Sequence, residues 1–331
     1  MNLAGRKIVI TGASGFIGSH VADRLAGDSE LLLIDDFSIG PRENLAQLED
    51  ASNVQIAEAD ITNREQMREL IAGADVVIHM AISCLRTSLN SPLLSHDINS
   101  GGTLSVLMAA QEAGVERFSY VSSSEIYGTA QSVPMSESHP LAPTTVYGAS
   151  KLAGELYALA YWRTYGLPVS VIRPFNTYGP REPYAGARAE VIPRFALQLD
   201  AGRSPVVYGN GSQTRDFTYV ADTADGIVAA TACDALVGDV VNIAHGREET
   251  INHIAKLLGE LTNRSDIPIT YADPRPGDVD RHFAATEKAK ALFGFEALTD
   301  IATGLAKTVD WLREAGIAER VDTETAGTPN W

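Results

Sequence analysis

Cysteine is nearly absent from this 331-residue chain, which carries only Cys84 and Cys233. Two thiols cannot staple a small secreted scaffold or complete a cysteine metal site, so no metal centre is expected and a reducing cytoplasm is the expected setting. Long apolar runs are missing too. No stretch nears the roughly eighteen apolar residues that mark a membrane span, and the chain passes into its first strand pattern at Lys7 with no leader-like segment before it. Positive charge is scarce: 26 Lys and Arg against 42 Asp and Glu leave a formal charge of −16. That balance argues against general binding to nucleic acid or anionic membrane. Lysine is missing altogether between Lys151 and Lys256, where the basic residues are Arg163, Arg173, Arg181, Arg188, Arg194, Arg203, Arg215 and Arg247. Guanidinium forks suit phosphate, but a chain that prefers arginine throughout needs no special explanation for the set. No Gly-Lys-Ser/Thr sequence follows any glycine loop, which excludes a Walker A site.

What is present begins with a glycine-rich turn. The β-branched run Ile8 to Ile10 ends in Thr11 and Gly12, Gly15 and Gly18 follow at three-residue spacing, and an apolar helical pattern begins. This reads as a buried strand, a tight turn and a helix whose first N–H groups are uncovered, an arrangement that suits a pyrophosphate. A second strand, Leu31 to Asp35, ends in a carboxylate 23 residues after Gly12, with Asp36 just beyond. A carboxylate there can accept hydrogen bonds from an adenosine ribose and would repel a 2′-phosphate, favouring NAD over NADP. Val54 to Asp60 and Ala74 to Ala81 read as short strands, with a helix over roughly Asn63 to Ala72 between them. Such a rhythm predicts an α/β fold with a parallel sheet, helices on both faces and right-handed crossovers.

Farther on, Asp97 to Ala113 reads as an amphipathic helix stopped by Gly114, and Arg117 to Ser122 as a strand running out into Ser122-Ser-Ser-Glu-Ile-Tyr-Gly128. Ligands in open parallel sheets bind beyond the carboxyl ends of strands, so the hydroxyls of Ser122, Ser123 and Ser124 and the carboxyl of Glu125 are placed for chemistry. After a proline-rich loop comes Thr145-Val-Tyr-Gly-Ala-Ser-Lys151. Tyr147 and Lys151 are four apart and share a helical face. An ammonium beside a phenol favours the phenolate, giving a base that works near neutrality.

Together, Thr11-Gly-Ala-Ser-Gly-Phe-Ile-Gly18, Asp60, Ser122 to Gly128 and Tyr147-Gly-Ala-Ser-Lys151 resemble the extended short-chain dehydrogenase/reductases. More narrowly, they resemble the NAD-dependent epimerase/dehydratase branch acting on nucleotide sugars, of UDP-glucose 4-epimerase type. The likeness runs from the first strand to about Arg313. It implies a Rossmann-type doubly wound parallel sheet over residues 1–175 that carries the catalytic Tyr and Lys. A smaller C-terminal α/β substrate-binding lobe over 176–320 would return some segments to the main sheet, and a polar tail over 321–331 would be frayed. It further implies a homodimer formed through the helix after Asp97 and the helix carrying Tyr147.

The resemblance also assigns roles. Gly12, Gly15 and Gly18, with Phe16 and Ile17, would hold the NAD pyrophosphate, Asp35 (Asp36 beside it) the ribose, and Asp60 and Ile61 the adenine. Met80-Ala81 would lie along the cofactor, with Asn99 supporting the active-site strand. Tyr147 would be the base, Lys151 its partner on the nicotinamide ribose, and Ser123 a hydrogen-bonding group to the reacting sugar oxygen. A nucleotide-diphosphate sugar would meet Asn176 in Arg173-Pro-Phe-Asn-Thr-Tyr-Gly-Pro-Arg181, Val191 in Val191-Ile-Pro-Arg-Phe195, Arg215, and Arg275 and Asp278 in Arg275-Pro-Gly-Asp278. Arg86 could meet a uronate carboxylate, although a plain surface arginine is the simpler reading.

The reaction turns on Ser124-Glu125. Dehydratases of this kind usually carry an acid followed by Glu there; Glu125 can serve as a base, but Ser124 is a poor acid. Ser followed by Glu is the arrangement of UDP-glucuronate decarboxylases, whereas Arg275-Pro-Gly-Asp-Val279 resembles the epimerase ending. The expectation is a UDP-sugar 4-epimerase, with decarboxylase second and dehydratase third. A silent NAD- and sugar-sensing protein is disfavoured by the intact Ser123, Tyr147 and Lys151. An NADPH-dependent ketone reductase is disfavoured by Asp35.

Overall fold

The computed structural model describes residues 1–274 and 279–317. The N-terminal half alternates as expected. Strands β1 (Lys7–Thr11), β2 (Glu30–Asp35), β3 (Val54–Glu58), β4 (Val76–His79), β5 (Arg117–Val121) and β6 (Val169–Pro174) are separated by helical crossovers. Among the crossovers are α1 (Phe16–Leu25), α2 (Arg64–Ile71), the short α3 (Leu85–Asn90) and α4 (Pro92–His96), α5 (Thr103–Ala113) and α6 (Val146–Tyr165). Strands β3 and β4 are shorter than the stretches Val54 to Asp60 and Ala74 to Ala81 read as strands, whose last two residues belong to loops at the carboxyl edge. Local chemistry marks the helix starts: the Asn63 side chain accepts from Gln66 N–H to open α2, and that of Thr145 from Gly148 N–H to open α6.

The helix expected over Asp97 to Ala113 is found, but its first six residues, Asp97–Gly102, are wound as a π-helix before α5 continues. The widened turn lets Asn99 point inward, and Gly101-Gly102 offers little resistance to it. Gly102 also admits the Ile61 side chain, whose Cδ1 lies only 2.5 Å from where a Cβ at 102 would stand.

Beyond β6 the chain builds β7 (Asn176–Tyr178), α7 (Val191–Asp200), β8 (Val206–Tyr208), β9 (Thr214–Arg215), β10 (Phe217–Tyr219) and α8 (Val220–Ala232). It then adds β11 (Val240–Ile243), β12 (Glu249–Thr250), α9 (Ile251–Leu261), β13 (Thr270–Ala272), β14 (Arg281–His282), α10 (Glu287–Phe293) and α11 (Ile301–Glu314). Strand β11 returns to the main sheet, which has seven parallel strands in the order β11-β6-β5-β4-β1-β2-β3. Three small sheets, β10-β7, β12-β9-β14 and β13-β8, belong to the C-terminal half.

Because side chains alternate across a strand, Ile8 and Ile10 of β1 face one helical layer while Val9 faces the other. The first layer includes α1 and α8, through Val21 and Ile227. The second includes α2 and α5, through Met67 and Val106. A separate core of Ile192, Phe195, Ile254 and Leu305 holds the C-terminal lobe. The strand order reverses beside β1, whose neighbours are β2 and β4. That crevice at the carboxyl edge is where open parallel sheets bind ligands.

Candidate active site

The glycine turn occupies this crevice. Gly12 has φ +71°, and a Cβ there would fall 2.6 Å from Ala81 N. Gly18 presses α1 against the turn so closely that a Cβ would stand 2.1 Å from Gly12 O. Gly15, at the start of α1, has no side chain with which to cap the helix, so the first amides stay open to a ligand. Gly12, Gly15, Asp35, Asp36, Asp60, Ile61, Met80 and Ala81 line one groove, together with Ser38, Ile39, Gly40, Ala59, Ile82 and Ile98. Phe16 and Ile17 form the first turn of α1 behind it. Asp35 serves the turn as well as the groove. One oxygen accepts from Ser14 N–H at 2.9 Å and the other from Phe37 N–H at 2.9 Å. Burial, the larger effect, raises its pKa, and these amides oppose it. Asp36 is turned to its own loop, accepting from Ser38 N–H and Oγ–H at 2.9 and 2.6 Å.

The strip Met80-Ala81 is held from beneath. Thr11 Oγ1 accepts from Met80 N–H and Ala81 N–H at 3.2 and 3.3 Å and donates to His79 Nδ1 at 2.6 Å. Asn99 works on the neighbouring segment. Its Oδ1 accepts from Ser83 N–H at 2.7 Å, and its Nδ2 reaches Ser83 O, Ser95 Oγ and Ser150 Oγ. The amide is spent inside the protein, so Asn99 shapes the loop and does not reach the groove as a ligand residue; its neighbour Ile98 lines the groove.

At the carboxyl edge of β5, Ser123 opens a short turn over Ser124–Ile126, its Oγ accepting from Glu125 N–H at 3.2 Å. Its side chain also meets the Tyr147 phenol. Tyr147 is buried near the start of α6, and a Cβ at Gly148 would lie 2.7 Å from Glu125 O, so the helix is seated directly on this turn. Ser124 is buried in the wall, where its carbonyl meets His282 Nε2 at 3.2 Å; Glu125 reaches the larger cleft.

The expected lowering of the Tyr147 pKa is not found. Burial raises it, the bond to Ser123 opposes that rise, and the nearby Glu125, Cys84 and Glu190 add to it. Lys151 explains the difference. Its Nζ donates to Val121 O at 2.7 Å and lies 4.4 Å from the centre of the Tyr120 ring. Sharing a helical face is therefore not enough to aim the ammonium at the phenol. Burial pushes the Lys151 pKa down to about 7, partly offset by Glu155.

The larger cleft runs from this edge into the C-terminal lobe. Arg86, Glu125, Thr145, Asn176, Glu190 and Val191 line it, with Arg194, Phe195, Tyr208, Gln213 and Arg215. Asn176 Oδ1 is buried with no hydrogen-bond donor among the described residues. Arg215 Nη1 donates to Thr214 O and Val279 O at 2.8 and 2.7 Å. Arg275 and Asp278, like the tail from 318 to 331, lie outside the described residues. Arg173 is structural: its fork bonds Glu155 at 2.5 and 3.1 Å, buried beside Tyr127.

A sequence model described as the NAD dependent epimerase/dehydratase family matches residues 8–244. The chain belongs to that family. It is 34% identical to UDP-glucose 4-epimerase of Mycolicibacterium smegmatis, covering 93% of this chain and 98% of that one. Identity to UDP-glucuronic acid decarboxylase 1 of Xenopus tropicalis is 32%, over 93% of this chain and 72% of the relative. Among solved structures, UDP-glucuronic acid 4-epimerase from Bacillus cereus, in complex with UDP-glucuronic acid and NAD, superimposes with a TM-score of 0.87 at 30% identity, covering 93% of this chain and 99% of the other.

As a member of this family the protein is an NAD-dependent enzyme, and its groove fits that cofactor. The glycine cradle leaves no room for a Cβ at Gly12 or Gly18, and open amides of α1 adjoin it. Sequence reasoning missed Glu190 and did not single out Arg194. Both were hidden because a helix-start glutamate and one arginine among many carry no mark of which cleft they line.

Proposed function

We propose that the protein is a UDP-sugar 4-epimerase working through a transient 4-keto sugar. Gly12, Gly15, Gly18, Phe16 and Ile17 would hold the NAD pyrophosphate. Asp35 and Asp36 would serve the ribose side, Asp60 and Ile61 the adenine, and Met80 and Ala81 the strip beneath the ring. The bound cofactor supplies a reversible hydride acceptor at sugar C4. Tyr147 would take the proton of the 4-hydroxyl and return it, which requires its phenolate form in the loaded site against the burial that raises its pKa here; Ser123 would hold that oxygen, and Lys151 would steady the ribose edge. Asn176 and Arg215 would bind the diphosphate and Val191 would pack on the base, while the resemblance assigns Arg275 and Asp278, outside the described residues, to the phosphate and ribose. Residues 1–175 then form the cofactor half and 176–320 the substrate lobe, with β11 contributing to the main sheet.

One observation carries the choice of reaction. The position where dehydratases of this type keep an acid is Ser124, which is buried and does not line the cleft, while Glu125 does. Expelling a hydroxyl needs an acid and a base on the sugar, and here only the base side is furnished. The Ser-Glu pairing keeps UDP-glucuronate decarboxylase as the second reading. Incubation with UDP-, dTDP-, GDP- and CDP-sugars, followed by mass and proton NMR, separates the three. Unchanged mass with inverted C4 is expected; loss of carbon dioxide or of water selects another reaction. Tyr147→Phe is expected to keep NAD and lose about a thousandfold or more in turnover, the scale of a removed general base combined with lost orientation. Near-normal turnover in that variant would overturn the assignment. We also propose a homodimer through α5 and α6, supported by the exposed apolar Met108, Leu156 and Tyr157 on those helices.

A further inference from the structure

The cleft holds an ion pair that the reaction above does not use. Arg86 comes from α3 in the cofactor half, and Glu190 stands at the start of α7 in the lobe. Arg86 Nη1 and Nη2 meet Glu190 Oε1 and Oε2 at 2.5 and 3.0 Å, so the fork is filled bidentately, and Nη1 donates as well to Arg188 O at 3.3 Å. The Arg86 side chain is 17% exposed and that of Glu190 44%. Behind them Glu182 is buried, its Oε2 accepting from Gly179 N–H at 3.2 Å. Burial first, and then the charge of Glu190, holds Glu182 toward its neutral form, so it does not compete for the guanidinium.

Glu125 and Glu190 both lie close enough to Tyr147 to oppose its ionisation. The end of the cleft where the sugar would react is thus bordered by two carboxyl groups. Arg86, the arginine joined to one of them, has no fork left to offer. A substrate carboxylate entering here would have to displace Glu190 from Arg86, in a cleft that the carboxyl of Glu125 also lines. Displacing Glu190 costs the bidentate pair of a largely buried guanidinium, and like charge lining the cleft rejects a wrong ligand more effectively than a missing contact does.

We propose that the Arg86–Glu190 pair restricts this site to nucleotide sugars with a neutral C5 substituent and excludes uronates. The proposal rests on the reading of the cleft as a UDP-sugar site. Arg86 then acts as the neutralising partner of Glu190, a specificity-determining pair, and is not a receptor for a substrate carboxylate. The two residues of the pair come from different halves of the chain.

Equilibrium dialysis of the NAD-loaded protein against UDP, UDP-glucose and UDP-glucuronate tests this, because it counts bound nucleotide whether or not the sugar turns over. The wild type is expected to bind UDP-glucose at least about tenfold more tightly than UDP-glucuronate, and Glu190→Gln to shift that ratio toward the uronate by about tenfold, the scale of one partly buried charge contact. UDP itself should bind both proteins alike, which also reports that the variant's cleft is folded. Adding Arg86→Gln to Glu190→Gln should abolish the gain, since the freed guanidinium supplies it. A wild type that prefers UDP-glucuronate, or a ratio unmoved by Glu190→Gln while UDP still binds, overturns the inference alone. Failure of the wild type to bind UDP overturns the UDP-sugar reading and the inference with it.

Discussion

His79 is the residue whose chemistry is most completely determined by its surroundings. Thr103 Oγ1 gives its one proton to Asn99 O at 2.6 Å, so toward His79 Nε2, 2.9 Å away, it can only accept. Nε2 therefore carries the ring proton, and Nδ1 accepts from Thr11. The ring is neutral by necessity, and burial, with Lys151 adding to it, pushes its pKa down to about 3. An unfolded histidine keeps its ordinary value near 6.5. Between those two values the unfolded chain binds the extra proton, so the contribution of His79 is complete above about 6.5 and is lost as pH falls toward 3. Urea unfolding of wild type and His79→Gln across pH 7 to 4 should show the wild type losing up to about 1.4 kcal/mol per pH unit more than the variant. Equal slopes would show that the ring is not held neutral. Lys151 makes the same point about context, since its ammonium is aimed by Val121 and Tyr120 and not by helical spacing.

At the scale of the element, the turn between β1 and α1 is packed to contact. Gly12 is wedged under Ala81 in a left-handed conformation, and Gly18 lies against the Gly12 carbonyl. Gly12→Ala is expected to cost about 1–3 kcal/mol, from left-handed strain and overpacking together, and to weaken NAD binding through displacement of the Met80-Ala81 strip. Thermal melts with and without NAD check this; unchanged melting and NAD affinity would mean the turn relaxes freely. Helix α6 is fixed in a similar way. A Cβ at Gly154 would sit 2.4 Å from the Tyr120 hydroxyl, and that hydroxyl donates to Lys151 O at 3.0 Å. The helix bearing Tyr147 and Lys151 is therefore seated against β5 by the absence of a side chain at one position.

Across the whole molecule, the segment from 180 to 190 is stapled to the cofactor half at several points. Arg181 meets Asp23 at 2.8 Å, His20 Nε2 meets Pro180 O at 3.0 Å, and Arg188 Nη1 donates to Ser38 O at 2.9 Å. With Arg86–Glu190 these ties hold the lobe against the groove, so the two clefts are built by one continuous contact and not by a hinge of bare loop. Apolar side chains are exposed on α4, α5 and α6, where Leu93 is 77% and Leu156 51% exposed. Exposed leucines on adjacent helices fit a subunit interface. Replacing Met108 and Leu156 together by Glu should convert the proposed dimer into a folded monomer in sedimentation velocity. A wild type that sediments as a monomer would remove the proposal.

Much of this protein is determined by its sequence read alone. The alternation of short β-branched runs with helical stretches is a local pattern, and so is a glycine spaced to leave amides open. Both survive translation into three dimensions because they depend on neighbours a few residues away. Thr11 to Gly18 was legible for that reason, whereas Ser123 and Tyr147, 24 residues apart, were legible as one edge only through the resemblance to a known family. Tertiary structure alone decided which way long side chains point and what they meet. Lys151 turned to a strand carbonyl, Asn99 spent its amide on Ser83, Ser95 and Ser150, and Ser124 was buried. Glu190 met Arg86 across 104 residues of chain. Contacts at such separations leave no periodicity, since folding brings them together through packing that no local spacing records.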